Sequence, residues 1–150
     1  MQLRSVTALR LPLPMAHFLA QTGHESGELR WTYEFASGAA YEGRAGLGNT
    51  QQGDGERFKG RGLIQITGRA NYTAYGKARG ADYTTDGGAV LLSHDPANAV
   101  EVSCWFWKMK GLNELADQDD LVGITRRVNG GTNGLAERGA ILARARFFLL

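Results

Sequence analysis

The sequence predicts a mainly α fold with little or no β structure. Three observations point to it: apolar residues recur at helical spacing, proline and capping residues open the periodic segments, and glycine closes most of them. From Pro14, the pattern Met15, Phe18, Leu19, Thr22 has helical spacing, and a proline suits a first turn, so a helix is expected to reach about Ser26, weakened at its end by Gly27. Residues 36–62 carry eight glycines and few large apolar side chains, which reads as a long structured loop of the sort that is usually functional. Residues 63–67, "LIQIT", are short, apolar and partly β-branched: a strand or an extended buried segment. Thr67 is expected to N-cap a helix running to about Arg79, with Gly80 at its C-terminal end. Asp95-Pro96 opens another helix, which should reach about Lys110 and stop at Gly111. Asp119 or Asp120 starts a short helix ended by "NGG", residues 129–131, and a last helix with an arginine-rich face runs from about Leu135 through Phe148.

Composition narrows the function classes. A chain of 150 residues with 43% hydrophobic and 21% charged content is the size of one soluble domain, 1–150, with a real core. A formal charge of +2 names no polyanionic partner by itself. The basic residues do cluster, at Arg57, Lys59, Arg61 and Arg69 and again at Arg126, Arg127, Arg138, Arg144 and Arg146. An anionic polymer, cell wall or nucleic acid, is compatible with that distribution, but no nucleic-acid-binding module or interleaved aromatic platform accompanies it. The single Cys104 cannot form an internal disulfide and, in the aromatic stretch "VSCWFWKMK", reads as a core thiol. Pro12 and Pro14 interrupt the apolar opening and no cleavage site follows, so no signal peptide is expected. No apolar run approaches the roughly 18 residues needed to cross a bilayer.

Two familiar motifs fail on inspection. His24-Glu25 would need a second histidine at the position occupied by Glu28 to hold zinc, and "GERFKGRG" lacks the Lys-Ser/Thr of a phosphate loop, so neither a metal nor a nucleotide cofactor is expected. The stretch "HESGELRWTYE" supplies three carboxylates, Glu25, Glu28 and Glu34. On one helix Glu25 and Glu28 would share a face, whereas Glu34, nine residues on from Glu25, would point the opposite way about 13 Å along the axis. Only a break near Gly27 would let Glu34 turn back toward Glu25. An inverting glycosidase needs its two carboxyl groups about 6.5–9.5 Å apart. Spacing alone leaves all three glutamates equally readable as solvated.

Four ordered segments, "AHFLAQTGHESGELR", "YEGRAGLGNT", "FKGRGLIQITGRANY" and "ITRRVNGGTNG", resemble the glycoside hydrolase family 19 chitinases and their bacteriophage endolysin relatives over nearly the whole chain. The resemblance implies a lysozyme-like fold of two lobes. It implies Glu25 as general acid, Glu34 as general base with Glu42 of "YEGR" as its rival, and Thr67 as the residue that holds the attacking water. It suggests substrate contacts at Gln65, Asn71 and Asn129, with Arg138 as partner of the acidic site, while Trp31, Tyr33, Tyr41 and Tyr72 are candidate stacking surfaces. The implied reaction is one-step inverting hydrolysis of a β-1,4 bond between amino sugars, in which Glu25 keeps its proton through burial or a neighbouring negative charge. The implied substrate is peptidoglycan, as for a phage or prophage endolysin acting as a monomer, made in the cytoplasm and released to the wall through a holin lesion. A chitinase and a catalytically inactive wall-binding module are the alternatives. The segment before Met15 departs from the family's usual N-terminal helix.

Overall fold

The computed structural model describes residues 12–150, and among them α-helices dominate. In chain order they are α1 (Pro12–Glu25), α2 (Asp54–Arg57), α3 (Arg69–Arg79), α4 (Asp86–His94), α5 (Pro96–Met109), α6 (Leu112–Asp117), α7 (Leu121–Asn129) and α8 (Leu135–Leu149). Two 3₁₀ turns, Ala39–Tyr41 and Ala45–Leu47, lie in the glycine-rich segment. Strand pairing among the described residues amounts to isolated antiparallel bridges, Tyr33 with Arg61 and Arg61 with Ile66. Most of the segment read as an atypical N-terminus lies outside the described residues. Pro12 and Pro14 fall in the first turn of α1, where a missing N–H costs nothing.

The described residues divide into two compact units, one built from 12–30 together with 104–150, the other from 31–103. In the first, α1 packs chiefly on α8. The contact is made by small residues at helical spacing: Ala16 and Ala20 are buried against Leu142, and a Cβ on Gly23 would stand 3.3 Å from Ile141. On another face of α1, Phe18 meets Trp107 edge to face at 5.4 Å. The Trp107 indole is buried and donates to Asn113 Oδ1 at 2.8 Å, so its apolar surface and its polar N–H are both satisfied. Trp107→Ala is therefore expected to cost about 3–5 kcal/mol, read as a shift in the urea midpoint of unfolding.

The second unit is centred on Phe58, Ile64, Ile66, Tyr72, Tyr75, Leu92 and Val102, all buried. Residues 63–67 form turns carrying one bridge at Ile66 rather than a strand, and Ser103 Oγ accepts the Ile64 N–H at 2.9 Å in place of a ladder partner. Thr67 does not cap α3. The N-cap is Gly68, at φ 93° and ψ 147°, and the Arg69 N–H is satisfied at 2.9 Å by Oδ1 of the buried Asn49, twenty residues upstream. Helices α4 and α6 and the single turn α2 were not expected. Asp120, one of the two expected starts, does cap α7 by accepting the Gly123 N–H at 2.8 Å.

The fully buried Asp54 binds Arg69 in a two-pronged pair, Nη2 to Oδ1 at 2.7 Å and Nε to Oδ2 at 2.9 Å, and accepts the Gln51 N–H at 3.0 Å. The hydrogen bond from Arg69 holds the Asp54 carboxyl below its usual 3.8, against the opposing effect of burial. A carboxylate whose folded pKa is depressed contributes stability that is fully present above the unfolded value, about 3.9, and disappears as pH falls through the folded one. Urea midpoints measured from neutral to acid pH should show this limb below about pH 4, and Asp54→Asn should flatten it while lowering stability at neutral pH by about 3 kcal/mol.

Candidate active site

In the first unit Glu25 is the last residue of α1. Its Oε1 accepts from Arg138 Nη2 at 2.6 Å. Arg138, from α8, is fully buried, whereas the Glu25 side chain keeps 27% of its exposure. The same guanidinium donates from Nη1 to Gln21 Oε1 at 2.5 Å and from Nε to the Asn133 carbonyl at 3.1 Å. Gln21 stands four residues before Glu25, on the same face of α1, and its amide donates in turn to Thr125 Oγ1 at 3.1 Å. A buried chain of hydrogen bonds thus fixes the orientation of a carboxyl group that remains accessible. The charge beside Glu25 is the Arg138 cation, the residue named from the sequence as partner of the acidic site.

The chain turns sharply after Glu25. Gly27, Glu28 and Leu29 have φ of 58°, 62° and 66°, three successive residues in the left-handed region, two of them not glycine. The Glu28 N–H closes on the Gly23 carbonyl at 2.7 Å, and Ser26 Oγ accepts the Leu29 N–H at 2.8 Å, so the strained turn is held by its own bonds. Beside it, His24 Nδ1 lies 2.8 Å from Glu137, and a Cβ on Gly134, at φ 73°, would overlap the His24 imidazole. Glu28 is exposed.

In the second unit both oxygens of Glu34 are held: Oε1 accepts from the Tyr41 hydroxyl and Oε2 from the Gly60 N–H, each at 2.9 Å. The Glu34 N–H returns the bond to the Gly60 carbonyl at 2.9 Å. Burial and then the hydrogen bond to Glu34 raise the Tyr41 pKa above its usual 10.0, so the phenol stays a donor at neutral pH. Gln65 packs on Gly60, where a Cβ would come within 2.5 Å of Gln65 Oε1. Asn71 donates to the Thr67 carbonyl at 2.9 Å, and among the described residues nothing bonds the Thr67 hydroxyl.

The expected stacking role of Tyr72 is corrected, and Glu42 is tied to backbone groups. Tyr72 is completely buried, packed at a tilt against Phe58 with ring centroids 5.0 Å apart, with its hydroxyl donating to the Lys59 carbonyl at 2.5 Å and accepting from Arg61 at 3.0 Å; burial pushes its pKa to about 12. It is core, not a stacking surface for a sugar. Glu42 accepts the N–H groups of Gly53 and Gly55 at 2.8 and 2.7 Å, so its carboxylate closes the start of α2. Trp31 and Tyr33 are half exposed, and with Phe35 they form an edge-to-face cluster at 4.9 and 5.5 Å. Asn129 ends α7, exposed, ahead of Gly130 in the left-handed region. Asn49 and Gly60, which organise the surroundings of Glu34, were within quoted motifs but not singled out.

Residues 13–126 match the family model described as "Chitinase class I". A Haemophilus influenzae protein described as containing a glycosyl hydrolase family 19 domain is 34% identical over 157 aligned positions, covering 84% of this chain and 75% of its own. An endochitinase of Arabidopsis thaliana is 33% identical over 90% of the chain, which spans only 45% of that relative. A bacterial family 19 chitinase structure superposes with a TM-score of 0.78 at 21% identity, covering 97% of this chain and 84% of that one. Chitinase C of Streptomyces griseus gives 0.75 at 23% identity, covering 92% and 72%. These two superpositions speak to the fold.

Proposed function

Because the chain belongs to glycoside hydrolase family 19, the class I chitinase family, we propose that it hydrolyses β-1,4 bonds between amino sugars in one inverting step. Protonated Glu25 donates to the leaving glycosidic oxygen as the bond breaks. Ionised Glu34 takes a proton from the attacking water, which the Thr67 hydroxyl helps to hold. The observation that carries the reading is the setting of Glu25: an accessible carboxyl oriented by the buried Arg138. That guanidinium holds the Glu25 carboxyl in one orientation, as proton transfer to a fixed leaving oxygen requires. The two donors on Glu34 hold its carboxylate in one orientation.

Peptidoglycan is the substrate we favour, in line with the endolysin-like motifs. Chitin is the second reading, and the endochitinase relatives favour it. Mass spectrometry of fragments released from purified peptidoglycan, run beside chitin oligosaccharides, separates the two. Disaccharide muropeptides with new reducing ends support the first, cleavage of chitin oligosaccharides alone supports the second, and an absence of new reducing ends on either polymer rejects the hydrolase.

The choice between the two candidate bases is testable in the same assay. Glu34→Gln is expected to lower kcat by about 10²–10⁴, the usual contribution of general base catalysis. Glu42→Gln is expected to act mainly on stability, by about 1–2 kcal/mol for its two backbone bonds. The reverse ranking would move the base to Glu42.

A further inference from the structure

We propose that a basic pocket next to Glu34 binds a carboxylate carried by the polymer, so that this enzyme selects an acidic amino-sugar chain over a neutral one. The inference deepens the peptidoglycan reading and rests on it. The pocket, about 330 Å³, is lined by Tyr33, Lys59, Arg61, Val90, Ser93 and His94 and by no acidic residue.

Of the four basic residues clustered in this part of the sequence, Arg57 is paired with Asp86 at 2.5 Å and Arg69 with Asp54. Lys59 and Arg61 have no carboxylate partner among the described residues. Arg61 is nearly buried, and its Nη1 is engaged by the Arg57 carbonyl at 2.6 Å and by Tyr72, which fixes the cation at the pocket wall. The Lys59 ammonium lies 5.7 Å from the centroid of the half-exposed Tyr33 ring and, among the described residues, donates to the Ala36 carbonyl alone, 3.3 Å away. A fixed guanidinium, an adjustable ammonium and an aromatic face make a site for a carboxylate on a substituent of the polymer.

The pocket is also tied to the candidate base. Tyr33 immediately precedes Glu34, and Lys59 immediately precedes Gly60, whose N–H holds Glu34 Oε2. Peptidoglycan carries free carboxylates on its peptide substituents and chitin carries none, so occupancy of this pocket distinguishes the two polymers.

The test is equilibrium binding of soluble peptidoglycan fragments, native and with their carboxylates converted to amides, in the Glu25→Gln background, which keeps the polymer intact. Native fragments should bind roughly tenfold more tightly than amidated ones, as a hydrogen bond between charged groups warrants, and the difference should shrink with added salt. Lys59→Gln should bring the ratio close to one, and Lys59→Arg should restore it. Equal binding of the two fragments by the Lys59-containing protein overturns the proposal, as does a preference that survives Lys59→Gln. Equally tight binding of duplex DNA at the same salt overturns it in favour of a general polyanion surface. Failure of the catalytic reading is seen separately: the carboxylate preference would stand while the Glu25 enzyme releases no reducing ends.

Discussion

Glu25→Gln is expected to reduce the release of reducing ends by about 10²–10⁴ while leaving the protein folded. Glutamine is the same size and keeps a carbonyl oxygen that can accept from Arg138, but it has no proton to give the leaving oxygen. Arg138 loses one charged partner and retains the Gln21 and Asn133 oxygens, so the loss in stability should stay within about 2 kcal/mol. The pairing of a small stability change with a large fall in kcat is the signature to look for. Activity within tenfold of the parent would remove Glu25 from the role of acid.

Arg138→Met is expected to do the opposite in proportion, costing about 3–5 kcal/mol because it breaks a buried charged pair and strips partners from Gln21 and Glu25 together. Activity should fall as well, since Glu25 would no longer be held in one orientation. Arg138→Lys should not rescue it. Three nitrogens of one planar group reach Glu25, Gln21 and the Asn133 carbonyl, and a single ammonium cannot reproduce that fork. Urea unfolding and steady-state kinetics on the same preparations decide the matter. A stable, active lysine variant would show that only charge is needed there.

What could be read from the sequence depended on whether the signal was local. The Asp95-Pro96 start of α5, the Gly80 end of α3 and the Asp120 cap of α7 are decided by residues adjacent to the feature, and each was legible. Helix α4 was hidden because "DGGAVLLSH" carries two glycines in its first turn that read as loop, although Thr85 caps it by accepting the Gly88 N–H at 2.9 Å. Thr67 looked like a cap because the N-cap, Gly68, has no side chain and the oxygen that accepts the Arg69 N–H, from Asn49, arrives from a distant loop. Tyr72 was misassigned although its face was readable: Tyr72, Tyr75 and Gly76 recur at helical spacing and are the buried side of α3, while Asn71 is exposed. The expected break after Glu25 needed the left-handed run at residues 27–29, of which only Gly27 announces itself. The hydrogen bond between Glu25 and Arg138 joins residues 113 positions apart, and no spacing rule reaches that far.

That separation gives the enzyme an order of assembly. During synthesis the inserted unit, residues 31–103, has all of its own sequence available well before α8 is made. The unit that carries Glu25 is built from both flanks of that insertion, so α1 emerges first and waits for its packing partner until translation is nearly through the described chain. Until Arg138 leaves the ribosome, Glu25 lacks the group that orients it. A nascent or prematurely terminated chain that lacks α8 therefore lacks the guanidinium that orients Glu25.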